Sequence, residues 1–421
     1  MTIKDDTQEP EWLADRRTAA RGQFDALGLP TRKLEDWKYT SLSAISKADF
    51  TAATVAPSEI DPDNSQLPGL DGPHVMFGNG ILDRIDGDLP EGVTLLALSR
   101  AVNDAPDVLR DGLGAGDEDS LRALNLASFG QGFVLHVAAG VELTRPITIV
   151  HATDAAMEGR AAQLRHVVVL GENARATLVE VFVSADGSSV PAWTNLVRDV
   201  RVGPGAALHA TVLVNEGAGT VHTGHTDVRV DRAGRFGQTA LLIGGETVRH
   251  EVRTVVDGEG ADVDLNGAYL AADGQSFTVF TEMDHRVPHC LSNQLYRGVL
   301  GAGSHAAFQG RVIVREGAQK TSANQSNHNL ILDRSAEADT KPELEIYADD
   351  VKCSHGATVG ELDSDMLFYL ESRGLDPETA RAILVEAFVG EVIEAIENPA
   401  IRDHVGELVS HWMKQQGAAL S

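Results

Sequence analysis

The residue types best suited to chemistry lie between Asp350 and Thr358, where a lysine, a cysteine and a histidine fall within four positions. Cys353 and His355 are two residues apart, so on a β-strand both side chains would point to one face and Lys352 to the other. A thiolate and an imidazole that share a face can bind a soft or borderline metal ion, or handle sulfur. A single cysteine is also common as a small apolar core residue, so the spacing leaves both interpretations open.

A second group of candidate ligands is the segment Asp284–Cys290, which contains His285, His289 and Cys290. Two imidazoles and a thiol suggest zinc, but a closed zinc site requires a fourth ligand at a fixed spacing. A polar corner around Pro288 is therefore the favoured interpretation. The sequence assigns no role to the two histidines or to the cysteine.

Motifs for nucleotide and hydrolase chemistry are missing from the sequence. Without a Walker-type glycine loop, the chain is not expected to bind or hydrolyse ATP by itself. The glycine pairs at 203–205 and 258–260 are not followed by helical patterns, which excludes a dinucleotide fingerprint. The histidines of segment 220–225 are three residues apart and lack the glutamate of a cupin metal site. The sequence also lacks a nucleophile elbow, so we predict no catalytic residues and no resident metal site.

Composition limits the class of protein. The 421 residues carry a formal net charge of −27, which argues against nucleic acid because phosphate binding requires clustered lysine and arginine. No apolar run approaches the length of a membrane helix, and the N-terminal residues MTIKDDTQEPEW do not form a secretory signal. We expect a cytoplasmic protein whose two cysteines, Cys290 and Cys353, stay reduced. Two thiols cannot hold an iron–sulfur cluster without further ligands.

The elements that position these residues are predominantly β-strands. From Phe133 onward, short runs of Val, Leu, Ile and Thr alternate with Gly, Asp and Asn corners for more than two hundred residues. Strand ends recur at roughly 26 to 44-residue intervals, at Leu170, Val202, Val230, Val256, Leu300 and Leu332. Such spacing suits a β-solenoid, in which each coil buries its apolar face on the next. A β-sandwich or double barrel would give a similar pattern.

Helical patterns flank the β-rich region on both sides. The N-terminal part is mixed but mainly helical, with a helix over residues 11–27 and a hairpin around Asn79-Gly80. The stretch Lys33–Leu42 is either a docking surface or, as we favour, a helix turn that packs Trp37 and Tyr39 onto the core. The expected domains are an N-terminal mainly helical domain, a β-helix core and a C-terminal helical domain, spanning residues 1–125, 126–359 and 360–421.

The C-terminal domain is predicted to contain three helices. The second begins with Asp376 as its N-cap and Pro377 at its first position. Its apolar stripe is predicted to comprise Ala380, Ile383, Leu384, Ala387, Phe388, Val392 and Ile396. This stripe requires a partner, which can be the other helices, the open end of the solenoid or another protein.

Two stretches of this sequence resemble a known family. The run PELEIYADDVKCSHGAT at Pro342–Thr358, followed by LFYLESRG at Leu367–Gly374, is similar to the signature of the SufB/SufD proteins of iron–sulfur cluster assembly. The run KLEDWKYT at Lys33–Thr40 resembles a second hallmark, found in the SufD branch. The resemblance extends over most of the chain from Lys33 onward, except for about residues 51–119.

The resemblance implies a fold and a function. It implies a mainly β protein with a right-handed β-helix core, an N-terminal mainly helical domain and a C-terminal helical bundle. It further implies a non-catalytic scaffold subunit that pairs with SufB through the β-core and binds the ABC-type ATPase SufC through the C-terminal helices. His355, with Cys353 beside it, would contribute at the SufB interface to iron acquisition and to a transient iron–sulfur cluster. The isolated chain would hold no stable cofactor.

Two points stay open at this level. His328 lies where the SufB branch carries a cysteine, so it is either a third contributor to the nascent cluster or an ordinary strand histidine. The alternative functions are a SufB-type scaffold subunit and, in a different class, a β-helix carbohydrate-active enzyme. A β-core made to pair with a homologue can also form a homodimer when it is isolated.

Overall fold

The computed structural model describes residues 9–48, 50–53, 71–114 and 119–420, except for the side chains of Asp186 and of residues 417–420. Two ten-stranded sheets dominate this part of the chain. The N-terminal residues 1–8, where no secretory signal is expected, lie outside the described residues. Among the described helices, none has the length and apolar character needed to cross a membrane.

The strands divide between two sheets. The first sheet contains β1 (Thr51–Ala52), β4 (Val93–Ala97), β5 (Phe133–Val137), β7 (Arg160–Leu170), β9 (Ala192–Val202), β11 (Thr220–Val230), β13 (Thr247–Val256), β15 (Ser276–His285), β17 (His305–Val314) and β19 (Glu337–Ile346). The second contains β2 (His74–Gly78), β3 (Ile81–Asp86), β6 (Ile147–Thr153), β8 (Arg175–Ser184), β10 (Ala207–Asn215), β12 (Arg235–Leu242), β14 (Asp262–Ala271), β16 (Leu291–Leu300), β18 (Ser322–Ile331) and β20 (Lys352–Gly360).

From β5 onward the chain visits the two sheets alternately, and neighbours within each sheet are parallel. Each coil therefore gives one strand to each sheet, and β5–β20 form eight coils, which confirms the predicted β-solenoid. Aligned residues on successive coils from β7 to β20 are 26 to 32 positions apart. The longer predicted interval, from Val256 to Leu300, is wrong as a coil length because it joins a strand end of the first sheet to one of the second.

The corners between the first and second sheets repeat one backbone conformation. One residue in each successive corner has a positive φ: Asn173, Gly205, Ala233, Gly260, His289 and Lys320. The amide of Asn173 donates to the carbonyl of Pro204 in the next coil, and similar bonds continue as far as the carbonyl of Asp350. Stacked left-handed corners therefore turn the chain at the same place in each coil.

The first coil is covered by the N-terminal region. β2 pairs with β6 in parallel, whereas β3 pairs antiparallel with β2, and β4 antiparallel with β5. Asn79 and Gly80 form the predicted turn between β2 and β3, with φ values of 53° and 75° that match a type I′ hairpin. The helices of this region are α1 (Glu11–Leu27), α2 (Ser43–Lys47), α3 (Leu98–Asp104), α4 (Pro106–Gly112) and α5 (Ser120–Ser128).

The stretch Lys33–Thr40, here called the N-terminal strap, lies across the outer face of the first sheet. Trp37 is buried there, with the Arg249 guanidinium carbon 4.0 Å from its ring centroid. Asp36 accepts a hydrogen bond from Arg253 of the same strand, β13, at 3.3 Å. The expected packing of Trp37 onto the core is confirmed, and the strap ties the N-terminal region to the middle of the solenoid.

Three helices complete the C-terminus: α6 (Ser364–Ser372), α7 (Pro377–Glu394) and α8 (Pro399–Leu420). Asp376 caps α7 as predicted, accepting from the Thr379 amide at 3.0 Å. Helices α7 and α8 pack on the outer face of the second sheet, where they cover Val179, Val181, Leu213, Leu241, Leu270 and Val299. The open end of the solenoid is therefore not the surface that receives these two helices.

The predicted apolar stripe of α7 is only partly right. Ala380 and Val392 are buried, but Ile383 is exposed, and Val385 and Val389 take the inward positions instead. Apolar residues surround most of this helix, so helical periodicity could not identify the face that meets the sheet.

Candidate functional site

The last coil, formed by β19 and β20, holds Cys353 and His355. β19 pairs with β17 and β20 with β18, and among the described residues no strand pairs with their other edges. Every side chain of these two strands is exposed or half-buried, whereas the inward side chains of the preceding coils are mostly buried. The solenoid therefore ends in an uncovered coil at the position of the candidate site.

Cys353 and His355 share the inner face of β20. Their neighbours on β18 are Ala323 and Gln325, which are both buried between the sheets. Cys353 is half-buried against the core, and His355 is exposed at the open end. The alternation of β20 thus brings the thiol and the imidazole together as the spacing predicted, with Lys352 on the opposite face.

The Cys353 thiol is not activated by its surroundings. Burial raises its pKa above the usual value, and the Ala323 amide offsets part of this rise. At neutral pH the side chain is therefore a protonated thiol, which is a poor metal ligand and a poor nucleophile. A metal ion or a nearby cationic group would be required to form the thiolate.

His328 lies apart from this pair. It is on the outer face of β18, where its Nδ1 shares a 2.6 Å hydrogen bond with the Thr358 hydroxyl. Burial, and then the charge of Arg297, lower the pKa of His328 below its usual value. The second sheet therefore separates His328 from the inward-facing Cys353 and His355, and a single ion could not bind all three.

The segment around Pro288 does not form a metal site. Cys290 is buried in the core and its thiol donates to the Gly258 carbonyl at 3.3 Å. His285 is buried and its Nε2 bonds to the Ser292 hydroxyl at 2.9 Å, while His289 is exposed in a left-handed corner. The three side chains point to different surroundings, which supports the interpretation as a solenoid corner.

Sequence reasoning missed a cluster inside the first coils, here called the interior cluster: His151, His166 and Glu180. The Nε2 of His151 lies 2.8 Å from Glu180 Oε1, and the Nε2 of His166 lies 3.4 Å from the same oxygen. The two Nε2 atoms are 3.5 Å apart. Among the described residues, this is the one group of three or more His, Cys, Asp or Glu side chains close enough to hold a metal ion.

The interior cluster is electrostatically balanced by Arg198, which bonds to Glu180 Oε2. Burial acts to raise the pKa of Glu180, but the guanidinium and the two imidazoles hold it well below its usual value. Burial lowers the pKa of His151 to about 4 and also lowers that of His166. At neutral pH the cluster therefore contains a carboxylate and two neutral imidazoles.

The interior cluster has a weak signature in the sequence. Its members lie on β6, β7 and β8, so no short motif contains them. Each is an ionisable side chain at an inward position of a predominantly apolar strand. A solenoid register would have been needed to see that these three positions stack on one another.

Comparison with known proteins agrees with the fold and with the sequence motifs. Residues 151–388 match the family model described as "SUF system FeS cluster assembly, SufBD core domain". Residues 3–149 match the model described as "SufBD protein N-terminal region". Together the two models cover most of the chain, including all strands of the solenoid.

Three relatives illustrate the similarity. The iron–sulfur cluster assembly protein SufD of Escherichia coli is 32% identical over 90% of this chain and 88% of its own length. An iron–sulfur cluster assembly SufBD family protein of Synechocystis is 28% identical over 96% of this chain and 91% of its own. SufD of Bacillus subtilis is 24% identical over 97% and 95%. The chain therefore belongs to the SufB/SufD family of iron–sulfur cluster assembly proteins, and within that family it is SufD-like.

Proposed function

We propose that this chain is the SufD-like subunit of an iron–sulfur cluster assembly scaffold and pairs with a SufB-like subunit through its last coil. The observation that carries this proposal is the uncovered end of the solenoid. Ile346, Tyr347 and Val359 leave 42%, 59% and 49% of their surface exposed there. An exposed, partly apolar strand edge is a ready site for strand pairing with another protein.

The two free edges differ in their capacity to pair. β19 contains Pro342, which has no amide hydrogen, and three glutamates that discourage contact with a second chain. β20 contains no proline, and Lys352 is its one lysine, arginine or carboxylate residue. We therefore assign the partner strand to the edge of β20. In the absence of a SufB-like protein, a second copy of this chain can take the same place.

Pairing at β20 would put Cys353 and His355 at the subunit interface. One thiol and one imidazole amount to two of the ligands that an iron–sulfur cluster normally requires, so the partner must supply the others. In this proposal the chain contributes to iron acquisition and to a transient cluster at the shared interface, and it acts as a non-catalytic scaffold in the cytoplasm. His328, on the other face of the sheet, is not part of this site.

We assign the C-terminal helices to an ABC-type ATPase of the SufC kind. On α6, Met366, Phe368 and Tyr369 are more than half exposed, with Phe368 at 72%. A groove of about 900 Å³ separates α6 from α7, α8 and the end of β18. Large apolar side chains exposed on one short helix, beside a groove, are typical of a protein interface. Because the chain has no nucleotide motif, ATP binding would come from this partner.

Co-expression with SufB- and SufC-like proteins tests both contacts through a tag on this chain. We expect all three proteins to purify together. Ala357→Asp places a carboxylate on the inner face of β20 and should release the SufB-like protein while the SufC-like protein stays bound. Ala19→Asp, on an exposed position of α1, is the matched control and should retain both. A monodisperse chain that captures neither partner would contradict the assignment.

The role of His355 needs a separate test on the purified complex. His355→Ala should leave the complex intact but reduce its cluster content at least about tenfold after anaerobic reconstitution, because a ligand is missing. His209→Ala changes a partly exposed histidine of β10 and should have no effect. An unchanged visible spectrum in His355→Ala would remove this residue from the site and leave the pairing proposal standing.

The alternative functions make different predictions. A SufB-type subunit should form a stable cluster on the isolated chain, whereas we expect none without a partner. A carbohydrate-active enzyme should act on acidic glycans, and we expect no such activity. The names of the relatives from Escherichia coli and Bacillus subtilis favour the SufD-like assignment over both alternatives.

A further inference from the structure

We propose that the interior cluster of His151, His166 and Glu180 is a binding site for a borderline divalent transition-metal ion, Zn²⁺ or Fe²⁺. This inference does not rest on the proposed function, because the cluster lies in β6, β7 and β8 at the beginning of the solenoid, whereas the proposed assembly site is in the last coil. An ion there would join the first two coils through side chains.

The three candidate ligand atoms form a compact triangle. Its sides are 2.8 Å, 3.4 Å and 3.5 Å, so a point equidistant from all three atoms lies about 1.9 Å from each. Bonds from zinc to imidazole nitrogen and carboxylate oxygen are about 2.0–2.2 Å long. An ion slightly above the plane of the triangle would therefore be within bonding distance of all three ligand atoms, once the proton on His151 Nε2 had moved to Nδ1 or left. Two imidazoles and one carboxylate are also the set that holds non-haem Fe²⁺.

A small cavity beside two of the three ligands offers room for a fourth, non-protein ligand. A cavity of about 30 Å³ adjoins His166 and Glu180 and is also bounded by Arg198, Thr226 and Gln238. This volume exceeds the minimum of roughly 10–15 Å³ that one water molecule requires. The buried Arg198 Nη2 lacks a hydrogen-bond partner and could donate to a metal-bound water or hydroxide. The cavity, whose other lining residues are mostly apolar, thus has space for one water molecule close to two of the three ligands.

The charges around the interior cluster suit a cation. Arg198 bonds to Oε2 of Glu180 and leaves Oε1 directed at the two imidazoles, so it orients the carboxylate without occupying the site. Glu180 therefore presents a carboxylate oxygen, already oriented by Arg198, to an ion placed between the two imidazoles.

Aromatic side chains hold both imidazoles in place. His151 is stacked between Phe77 and Phe182, with ring centroids 4.6 Å and 4.3 Å away, and His166 is stacked on Phe133 at 4.2 Å. The ligands are therefore oriented before any ion arrives. Neither Nδ1 atom has a hydrogen-bond partner, and this penalty on coordination is smaller than the gain from three metal–ligand bonds.

The test uses the full-length chain without a histidine tag. Because the cluster is buried, the chain is unfolded and refolded with one equivalent of Co²⁺, a spectroscopic substitute for Zn²⁺ and Fe²⁺. We expect one Co²⁺ per chain after gel filtration in chelator, with the intense visible bands of four-coordinate cobalt and a raised melting temperature. His166→Phe preserves the aromatic stacking and should weaken Co²⁺ binding more than about tenfold.

The matched control is His285→Phe, which alters another fully buried histidine, on β15, that lies outside the cluster and its cavity and bonds to Ser292. This variant should bind Co²⁺ as the wild type does. Cobalt retained by His166→Phe, or absent from the wild type, would overturn the proposal. If His166→Phe does not fold, anomalous scattering from crystals of the Co²⁺-refolded wild type provides the test. A cobalt peak must lie between His151 Nε2, His166 Nε2 and Glu180 Oε1, and the absence of such a peak would refute the site. Metal analysis of the anaerobically purified wild type distinguishes Zn²⁺ from Fe²⁺.

Discussion

The enclosed coils (β5–β18) and the last coil (β19 and β20) are built alike, because each gives one strand to each sheet and pairs in parallel with its neighbouring coils. Their surroundings differ. The enclosed coils have neighbours on both edges and a buried interior, with helices or the N-terminal strap covering outer faces. The last coil has a neighbour on one edge, and its inward side chains reach solvent. Stability is therefore concentrated in the enclosed coils, while the last coil keeps two unpaired strand edges among the described residues.

The enclosed coils and the last coil also differ in how far their ionisable side chains are buried. In the enclosed coils, Glu180 and Glu251 are fully buried and are neutralised by neighbouring guanidinium groups. In the last coil, His355 is exposed and Cys353 is partly exposed. Removing one partner of a buried pair leaves an uncompensated charge, whereas an exposed side chain can change without such a penalty. We therefore expect substitutions of ionisable residues to be tolerated in the last coil and to destabilise the protein in the enclosed coils.

The largest expected difference in unfolding free energy is between two phenylalanine-to-alanine substitutions, one in the enclosed coils and one just after the last coil. Phe277→Ala in β15 creates a cavity in the interior and should lower the free energy of unfolding by about 3–5 kcal/mol. Phe368→Ala in α6, just after the last coil, removes an exposed ring and should change it by less than about 0.5 kcal/mol. Guanidinium unfolding of both variants measures this contrast, and equal losses would show that the C-terminal end is as tightly packed as the interior.

Acid should destabilise the enclosed coils through buried histidines. Burial lowers the pKa of His285 to about 4, so the unfolded chain takes up this proton first as the pH falls below 6.5. Stability is lost between pH 6.5 and 4, by about 3 kcal/mol for this residue. His285→Gln should flatten the curve of unfolding free energy against pH by that amount. Parallel curves for variant and wild type would contradict the burial argument.

Two glycines at opposite ends of the solenoid allow a matched pair of glycine-to-alanine substitutions. Gly80 has a φ of +75°, and an added Cβ would lie 2.4 Å from the Cβ of Ala162. Gly80→Ala should therefore destabilise the protein by about 1–3 kcal/mol. Gly356 in β20 has no atom within 4 Å of an added Cβ, so Gly356→Ala should stay within about 0.5 kcal/mol of wild type. Thermal unfolding of the two variants compares the ends directly.

The smallest expected effect is at the contact between the N-terminal strap and the last coil. Lys341 of β19 bonds to Glu35, whose pKa it lowers, but this pair lies at the surface. Lys341→Gln should leave the melting temperature unchanged, since exposed ion pairs contribute little. Arg253→Gln is the comparison, because it deprives the buried Glu251 of a partner and should lower the melting temperature. A larger loss for Lys341→Gln would show that the last coil depends on the strap.

Local signals in the sequence predicted local structure well. The Asn79-Gly80 turn and the Asp376-Pro377 helix start depend on neighbouring residues alone, and both occur as expected. The buried face of α7 depends on contact with the second sheet, and the helix is apolar almost all around. Its pattern therefore could not distinguish Val385 and Val389 from Ile383.

The candidate sites also divide into one that depends on neighbouring residues and one that depends on contacts between distant strands. Cys353 and His355 are two residues apart on one strand, so their common face followed from alternation alone. His151, His166 and Glu180 are separated by whole strands and corners, and their proximity follows only from the stacking of coils. That register depends on corner lengths that vary between coils, which a single sequence does not define.

The antiparallel strands β3 and β4 at the beginning of the solenoid have a consequence for higher-order association. A solenoid with two equivalent open ends would add copies head to tail and grow into a filament. Here the head ends in strands whose polarity does not continue the parallel stack, whereas β19 and β20 at the tail keep it. If copies pair through β20 as proposed, growth would stop after a single joining event, and a self-limiting pair would replace an open-ended polymer.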